Sequence, residues 1–319
     1  MAAGNGLELK VCLLAHMASN TLVRVLVVLV AAASLSGCSI KKMAINTVGN
    51  ALAESGSNFA ADDDPELIAG ALPFGLKTIE GLLAQSPKHK GLLFASCSGF
   101  TQYSYAFVQQ EADYIEAQDL QKATAMRARA KKLYLRAVGY GMRALDVEFP
   151  GFSEQIRKDP DAALAKTTKK HVPLLYWTGA AWAAAWAIDV ADSSLSVNQT
   201  AIEKMMNRAL TLDEAWEKGS LHDFFISWEA GHESAGGSVE KAREHYARSR
   251  ALAAGQRVSP LVSFAESVLQ PEQKKKEFEQ LLNEALAIDI EKAPPEQKLA
   301  NVLAQRRARW LLSRLDELF

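Results

Sequence analysis

The segment "AVGYGMRAL", residues 137–145, decides the fold class, because its small and apolar residues recur at the same spacing elsewhere in the chain. Counted from Ala137, the offsets +4, +7 and +8 place Gly141, Ala144 and Leu145 on one face of an α-helix. The copies with these offsets are Ile202/Met206/Ala209/Leu210, Phe278/Leu282/Ala285/Leu286 and the looser Ala242/Tyr246/Ser249. A face that recurs at long intervals predicts a series of similar helices that pack in the same way.

A second helix precedes each copy, marked by an apolar residue that is followed seven positions later by a large one. These pairs are Leu93/Phe100, Leu175/Trp182, Leu221/Trp228 and Leu261/Val268. The positions three residues before the large member, where two helices cross closely, are Cys97, Gly179, Phe225 and Ala265. Most of these residues are small, so we expect Cys97 to fill a crossing position as a small apolar side chain rather than to act in redox or catalytic chemistry.

Helices paired in this way resemble tetratricopeptide repeats, in which a proline ends the unit, as Pro87 and Pro150 do here. The predicted fold is all-α, with roughly four degenerate helical hairpins, an opening helix near residue 65 and a closing helix at residues 298–319. We expect long insertions at residues 109–130 and 151–172. Because each hairpin buries its apolar face only against its neighbours, the array is expected to curve around a concave cleft or pore.

The aromatic segment "LLYWTGAAWAAAW", residues 174–186, is the strongest indication of a binding surface. Trp182 occupies the large core position of its helix, and Trp186 lies one turn later on nearly the same face, whereas Trp177 points away from Trp182. The concave-facing residues are predicted to be Tyr176, Ala180, Ala183 and Ala187. One amphipathic ring beside three methyl groups leaves a hollow that suits an apolar or amphipathic small molecule. Alternatively, the alanines only allow close helix packing.

Polar candidates are few, and they lie on the next first helix. His222, Glu229 and Glu233 are predicted to share the concave face, and we include His222 and Glu229 with Tyr176 and Trp177 as candidate ligand-binding residues. The same spacing is typical of a solvated polar face, which is the default interpretation, rather than of a metal or acid–base site. The sequence of the body shows no zinc-binding histidine pair, phosphate loop or nucleophile elbow, so we predict no catalytic residues, no metal, no cofactor and no enzymatic activity.

The N-terminus has the order of a secretory signal, in which Arg24 precedes an apolar run that ends in "LSGC", residues 35–38. This motif resembles the bacterial lipobox, which implies cleavage before Cys38, a diacylglyceryl group on that cysteine and a lipid anchor in the membrane. An uncleaved anchor or a buried helix is the alternative. Ser39 resembles the residue that directs export to the outer membrane, and Met17 begins a complete signal by itself. We therefore predict a signal peptide at residues 1–37, a lipidated tether at 38–61 and the helical domain at 62–319.

The charge pattern argues against nucleic acid as a partner. The formal net charge is −1, and Lys and Arg residues are scattered among Asp and Glu residues. A protein that binds a phosphate backbone needs a basic patch or stripe.

A lipobox, a short tether and helical hairpins that carry "LYLRAVGYGMRAL" and "LLYWTGAAWAAAW" resemble the T-component (TatT) lipoproteins of tripartite ATP-independent periplasmic (TRAP) transporters. The resemblance covers essentially the whole mature chain. It implies a periplasm-facing, lipid-anchored partner of the transporter's extracytoplasmic solute-binding protein. It also implies a homo-trimer in which each subunit has a channel or cleft for a hydrophobic or amphipathic ligand.

Two functions from different classes follow from these observations. The first is a non-enzymatic envelope lipoprotein that docks a TRAP-type solute-binding protein and helps to transfer or store the ligand. The second is a tetratricopeptide scaffold for envelope assembly, without a small-molecule ligand. An uncharacterised hydrolase is the weakest interpretation, because the sequence shows no nucleophile and base.

Overall fold

Helices form the regular structure of this protein. The computed structural model describes Met43 and residues 45–52, 59–232 and 237–319, and no strand occurs in these parts of the chain. The predicted all-α class is confirmed. The predicted signal peptide at residues 1–37 and the predicted lipidation site Cys38 lie outside the described residues.

The helices follow one another as an opening helix, a series of hairpins and a closing helix. In chain order they are α1 (Pro65–Gln85), α2 (Lys90–Ser104), α3 (Gln110–Ile115), α4 (Leu120–Glu148), α5 (Phe152–Lys158), α6 (Pro160–Leu164), α7 (Val172–Ile188), α8 (Ser193–Ser196), α9 (Gln199–Leu212), α10 (Ser220–Gly231), α11 (Val239–Ala253), α12 (Ser259–Phe264), α13 (Lys275–Ala287), α14 (Lys298–Ser313) and α15 (Leu315–Leu318). Single π-helical turns follow α2 at Tyr105–Gln109 and α12 at Ala265–Leu269. Short 3₁₀ turns are Lys169–His171, Trp216–Lys218, Ile290–Lys292 and Pro295–Gln297.

Several helices begin where the sequence supplies an N-cap. The Asp64 carboxylate accepts a hydrogen bond from the backbone N–H of Leu67 at 2.9 Å, and Pro65 takes the first helical position, where its missing N–H has no cost. Asp119 caps α4 in the same way, with 2.8 Å to the N–H of Lys122. These caps place the starts of the opening helix and of the long helix α4.

The hairpins pack through the crossing positions that the sequence predicts. Helix α2 packs on α4, and α7 packs on both α4 and α9. A Cβ atom added to Gly141 would lie 2.1 Å from Thr178 Oγ1 and 2.9 Å from Cys97 Sγ, and one added to Gly179 would lie 2.6 Å from Met206 Sδ. Since any side chain would collide there, the absence of one lets the helices approach closely. Cys97 is fully buried, and burial raises the pKa of its thiol to about 12, which confirms the expected packing role.

Both predicted insertions are partly helical. Residues 109–130 are continuous with the first hairpin, because the π-helical turn carries α2 on into α3 and α4 already begins at Leu120. The first hairpin is therefore longer than the repeat pattern indicates. Residues 151–172 do interrupt the array, as α5, α6 and a 3₁₀ turn between the first and second hairpins.

The chain from Gly49 to Phe319 forms one unit whose apolar interior has several clusters. The first two hairpins share a cluster that contains Trp182, 2% exposed, which confirms its predicted core position. Trp186 is half-buried against the same cluster. Part of the predicted tether packs against a separate cluster around Leu92: a Cβ atom on Gly49 would lie 3.0 Å from a Leu92 methyl group, and Leu52 contacts that cluster.

The closing helix α14 returns to the beginning of this unit. The Arg307 guanidinium lies 3.0 Å from Asp113 Oδ2 on α3 and 2.6 Å from Glu266 Oε1 in the π-helical turn after α12. The ring of Trp310 packs against Tyr114 of α3, with 5.3 Å between centroids. The last helix thus contacts both the first hairpin and the last hairpin. Whether the repeats follow tetratricopeptide geometry around a concave surface stays a prediction.

Helix α1 has an open apolar side. Among the described helices, it is the one whose length and mean hydropathy would allow it to cross a membrane, a property that buried helices of soluble proteins also have. Leu67 is 59% exposed and Phe74 is 78% exposed, whereas Leu76, Ile79 and Leu83 are buried toward α2 and α4.

Candidate ligand-binding site

The predicted binding face of α7 is more open than the opposite face of the same helix. Tyr176, Ala180 and Ala183 are half-buried and Ala187 is exposed, while Trp182 is buried. Trp177 is also half-buried, and its ring meets the ring of Tyr176 edge-on at 5.0 Å. The difference between the faces is the one that the sequence predicts, but binding of a ligand by these residues stays a prediction.

A loop between the second and third hairpins covers Tyr176. The Trp216 ring lies 4.6 Å from the Tyr176 ring. The next three residues, Glu217, Lys218 and Gly219, have φ angles of 47°, 54° and 92°. Left-handed backbone is unfavourable for Glu and Lys, so neighbouring contacts must hold the loop in place.

Arg257 supplies part of that restraint. It pairs with the Asp223 carboxylate at 2.5 Å and donates a hydrogen bond to the Lys218 carbonyl at 3.3 Å. Gln297, just before the closing helix, donates to Glu217 Oε2 at 3.0 Å. Groups from the third hairpin, the fourth hairpin and the closing segment therefore fix the loop that presents Trp216 to Tyr176.

Tyr105, in the π-helical turn after α2, lies near enough to Tyr176 to act on its pKa. Its side chain is 51% exposed, yet its pKa is raised, mainly by desolvation and then by the negative charge of Glu266. Tyr176 shows the same combination of partial exposure and a pKa raised mainly by desolvation, and Tyr105 is among the groups that raise it. Glu217 is exposed as well, and desolvation raises its pKa. The desolvation of these partly exposed groups shows that protein atoms crowd each of them on one side.

The closing contacts of Arg307 lie near Tyr105. The charges of Glu266 and Arg307 both act on the Tyr105 hydroxyl, so the salt bridge between them lies close to that residue. Tyr114, beside Arg307, has a pKa raised to about 12, mainly by desolvation. The aromatic surface thus has phenol groups and ion pairs at its edge, a combination that suits an amphipathic rather than a purely apolar ligand.

The polar candidates on α10 lie in two other environments. His222 is 6% exposed, its Nδ1 lies 2.8 Å from His245 Nδ1, and its Nε2 lies 3.1 Å from Glu214 Oε1. Desolvation lowers the pKa of His222, and together with the charge on His222 it lowers that of His245 to about 4. Glu229 is 8% exposed and lies near the start of α9.

The default expectation of a solvated polar face is therefore wrong for both His222 and Glu229. Each side chain is turned toward partners on neighbouring elements, which removes it from solvent. Glu233, the third member of that predicted face, lies outside the described residues.

The sequence reasoning identified Tyr176 and Trp177 but missed Tyr105, Trp216 and Glu217. The tyrosine lies in the π-helical turn between Phe100, the last position of the first-helix pattern, and the predicted insertion at residues 109–130. The other two residues lie in a loop that has no periodicity. An aromatic residue directly before a glutamate and a glycine two positions further on, as in "WEKG" at residues 216–219, was the available signal.

The chain is similar to a known protein family and to a protein of another organism. The family model for the TRAP transporter T-component matches residues 61–319. The chain is also 30% identical, over 303 residues, to an uncharacterized protein of Treponema pallidum (strain Nichols), with 89% of this chain and 94% of that protein covered. The matched family is a transporter-associated component and not an enzyme family. With a match over the whole helical domain, this chain belongs to the TRAP transporter T-component family.

Proposed function

We propose that this protein is a non-enzymatic envelope lipoprotein that docks a TRAP-type extracytoplasmic solute-binding protein and transfers or stores a hydrophobic or amphipathic ligand. Family membership supports the association with a TRAP transporter. The observation that carries the ligand-handling role is the open face of α7, where the half-buried Tyr176 ring lies 5.0 Å from Trp177 and 4.6 Å from Trp216, beside the half-buried Ala180 and Ala183. Such a surface is stable in water only if its polar groups are hydrated or a ligand covers it.

The ligand would contact Tyr105, Tyr176 and Trp177, with Ala180 and Ala183 leaving room for an acyl or ring system. The two phenol groups supply hydrogen-bond donors for a polar head, and the rings supply apolar contact area. In this proposal the restrained Trp216 loop sets the width of the site. His222 and Glu229, the other predicted binding residues, would act outside this aromatic surface.

The proposed location follows from the lipobox. Cys38 would carry the lipid that holds the protein on the membrane, with the helical domain facing the periplasm, in the outer membrane of a Gram-negative bacterium. A homo-trimer would present three such sites to solute-binding proteins.

The test of ligand handling uses Tyr105→Ala. Native mass spectrometry of the purified protein should detect a bound apolar or amphipathic molecule, and titration with a fluorescent fatty-acid probe should show saturable binding. Tyr105→Ala should weaken probe binding about tenfold, as loss of a buried aromatic contact of about 1.5 kcal/mol would do. Phe74→Ala is the matched control, because Phe74 is an equally large ring, 78% exposed on α1.

Equal losses in Tyr105→Ala and Phe74→Ala would mean that the probe binds any exposed aromatic surface. The docking role is measured separately, by size-exclusion chromatography of the protein with the TRAP solute-binding protein of the same organism. A wild-type protein that binds neither that partner nor an apolar molecule would contradict the proposal and favour the scaffold without a ligand.

A further inference from the structure

The charged residues of the first two hairpins are divided between the two ends of their helices. At the end where α2 and α7 begin, two segments, residues 86–90 and 165–171, contain no Asp or Glu. We call these two segments the basic edge. Their cations are Lys88, Lys90, Lys166, Lys169 and Lys170, all of them exposed. Because the two segments are far apart in the chain, the sequence alone shows only scattered charges.

Contacts at the end of α4 bring the two segments together. The carboxylate of Glu148, the last residue of α4, lies 3.2 Å from Lys90 Nζ and 2.6 Å from Lys170 Nζ. Arg143, also on α4, donates a hydrogen bond to a backbone carbonyl of the first segment at 3.1 Å. A single carboxylate therefore lies between two exposed ammonium groups, with a guanidinium group beside the first segment.

The end of α9 adds one carboxylate and one further cation. Asp213, directly after α9, lies 3.1 Å from Lys169 Nζ. The Arg208 guanidinium on α9 donates hydrogen bonds to the Thr167 hydroxyl at 3.1 Å and to the Thr167 carbonyl at 2.7 Å. The cations of the basic edge, together with these two arginines, thus outnumber the carboxylates that pair with them.

The opposite end of the same helices is acidic. Residues 110–119, before α4, and residues 189–198, between α7 and α9, contain no Lys or Arg. Their carboxylates are Glu111, Asp113, Glu116, Asp119, Asp189 and Asp192. The cations that pair with some of them lie on helices and are Arg127, Lys131, Arg306 and Arg307. This division gives the first two hairpins a field whose positive side is the basic edge.

The predicted tether contacts the helical domain at the basic edge. A Cβ atom on Gly49 would lie 3.0 Å from His89 Nε2, in the first segment, and 3.0 Å from a methyl group of Leu92. Gly49 follows Cys38 by eleven positions, which span at most about 40 Å when fully extended. A lipid on Cys38 would therefore hold the basic edge within that distance of the bilayer.

We propose that the basic edge binds the anionic lipid headgroups of the membrane that carries the anchor. The proposal rests on the lipid anchor of the proposed function, and it adds a second membrane contact and a fixed orientation. An anionic surface attracts lysines only within about a Debye length, roughly 8 Å at physiological ionic strength, so the edge beside the tether contributes most. The acidic end is repelled by the same surface and points away from the bilayer.

The test uses the protein extracted from membranes and reconstituted into vesicles. One set of vesicles is pure phosphatidylcholine, and the other is an equal mixture of phosphatidylcholine and phosphatidylglycerol. A membrane-impermeant reagent acylates exposed lysines, and mass spectrometry gives the rate at each. Lys88, Lys166 and Lys169 should react at least about threefold more slowly in the anionic vesicles, and high salt should remove the difference. Lys122, exposed at the start of α4, is the matched control and should react equally in both.

A double variant locates the contact. Lys88→Gln combined with Lys166→Gln should reduce the slowing at Lys169 at least about twofold, because it removes two charges from the edge. Lys122→Gln combined with Lys132→Gln removes two exposed lysines from α4 away from its end, and it should leave the slowing unchanged.

Three results would overturn the proposal. The first is equal acylation of Lys88 in the two kinds of vesicle, and the second is equal slowing at Lys88 and Lys122. The third is protection of Lys88 by the solute-binding protein in neutral vesicles without protection by anionic lipid, which would assign the basic edge to a protein partner.

Flotation separates these results from a failure of the lipid anchor. A protein that does not float with phosphatidylcholine vesicles lacks the anchor. Its flotation with the anionic vesicles would then support the basic edge if it is lost in the Lys88→Gln and Lys166→Gln variant, and absence of flotation would overturn the proposal.

Discussion

Gly141 and Gly139, two residues apart on α4, should differ in stability when each is substituted by alanine. A Cβ atom at Gly141 would lie 2.1 Å from Thr178 Oγ1 and 2.9 Å from both Thr178 Cγ2 and Cys97 Sγ. No atom lies within 4 Å of the same position at Gly139. Thr178 cannot turn away without loss, because its hydroxyl donates a hydrogen bond to the Leu174 carbonyl at 2.6 Å.

The expected magnitudes follow from two opposing effects. Replacing a helical glycine by alanine stabilises the helix by about 1 kcal/mol, and this gain applies at both positions. Overpacking at Gly141 costs about 1–3 kcal/mol, because Thr178 and Cys97 lie in a fully packed crossing. Gly139→Ala should therefore be more stable than the wild type, and Gly141→Ala should be less stable than Gly139→Ala by about 1–3 kcal/mol.

The free energy of unfolding of both variants is measured by urea denaturation, followed by far-ultraviolet circular dichroism. Thr178→Ala in the background of Gly141→Ala removes the two closest atoms and should restore part of the loss, as a double-mutant cycle would reveal. If Gly141→Ala equals Gly139→Ala in stability, the helices do not cross as closely as the structure places them, and the repeat interpretation of residues 137–145 loses its physical basis.

Two other predictions concern pH and anchoring. Desolvation, reinforced by the charge on His222, lowers the pKa of His245 from 6.5 to about 4. Between these two pH values the unfolded chain binds a proton at His245 that the folded chain does not bind. The free energy of unfolding should therefore fall as the pH drops from about 6.5 to about 4. His245→Gln should flatten this part of the urea-midpoint profile, and a wild-type profile that is already flat would contradict the assignment. Cys38→Ser should release the protein from the membrane fraction; a variant that still sediments with membranes and a wild type without a labelled acyl group would exclude the lipid anchor.

The crossings between neighbouring helices could be predicted from the sequence because close packing requires small residues at fixed spacing. Gly141 and Gly179 lie at such positions, and the structure places them against Thr178 and Met206. The length of the first hairpin could not be predicted, because the π-helical turn at Tyr105–Gln109 shifts the helical phase by one residue without any proline or glycine.

The site was less predictable than the fold, because its residues meet through contacts between distant segments. Tyr176 stood out in a cluster of aromatic residues, but Trp216 reaches it from a loop 40 positions later in the sequence numbering. His222 resembled a surface residue until its partner His245 on the following helix was placed. Local periodicity indicates which face of a helix is apolar, but it holds no information about which polar groups meet across helices.

The closing helix α14 connects the two ends of the repeat array. In an open solenoid each repeat contacts only its neighbours, so its two ends are independent. Here Arg307 joins Asp113 of the first hairpin to Glu266 of the last. A largely buried ion pair contributes little net stability, because desolvation offsets most of its attraction, but it does fix geometry, since breaking it leaves an unpaired charge. The same two groups act on Tyr105. The ion pairs of Arg307, which join the two ends of the array, therefore also lie beside the Tyr105 hydroxyl. A substitution of Arg307 in the closing helix would alter the proposed ligand-binding surface directly.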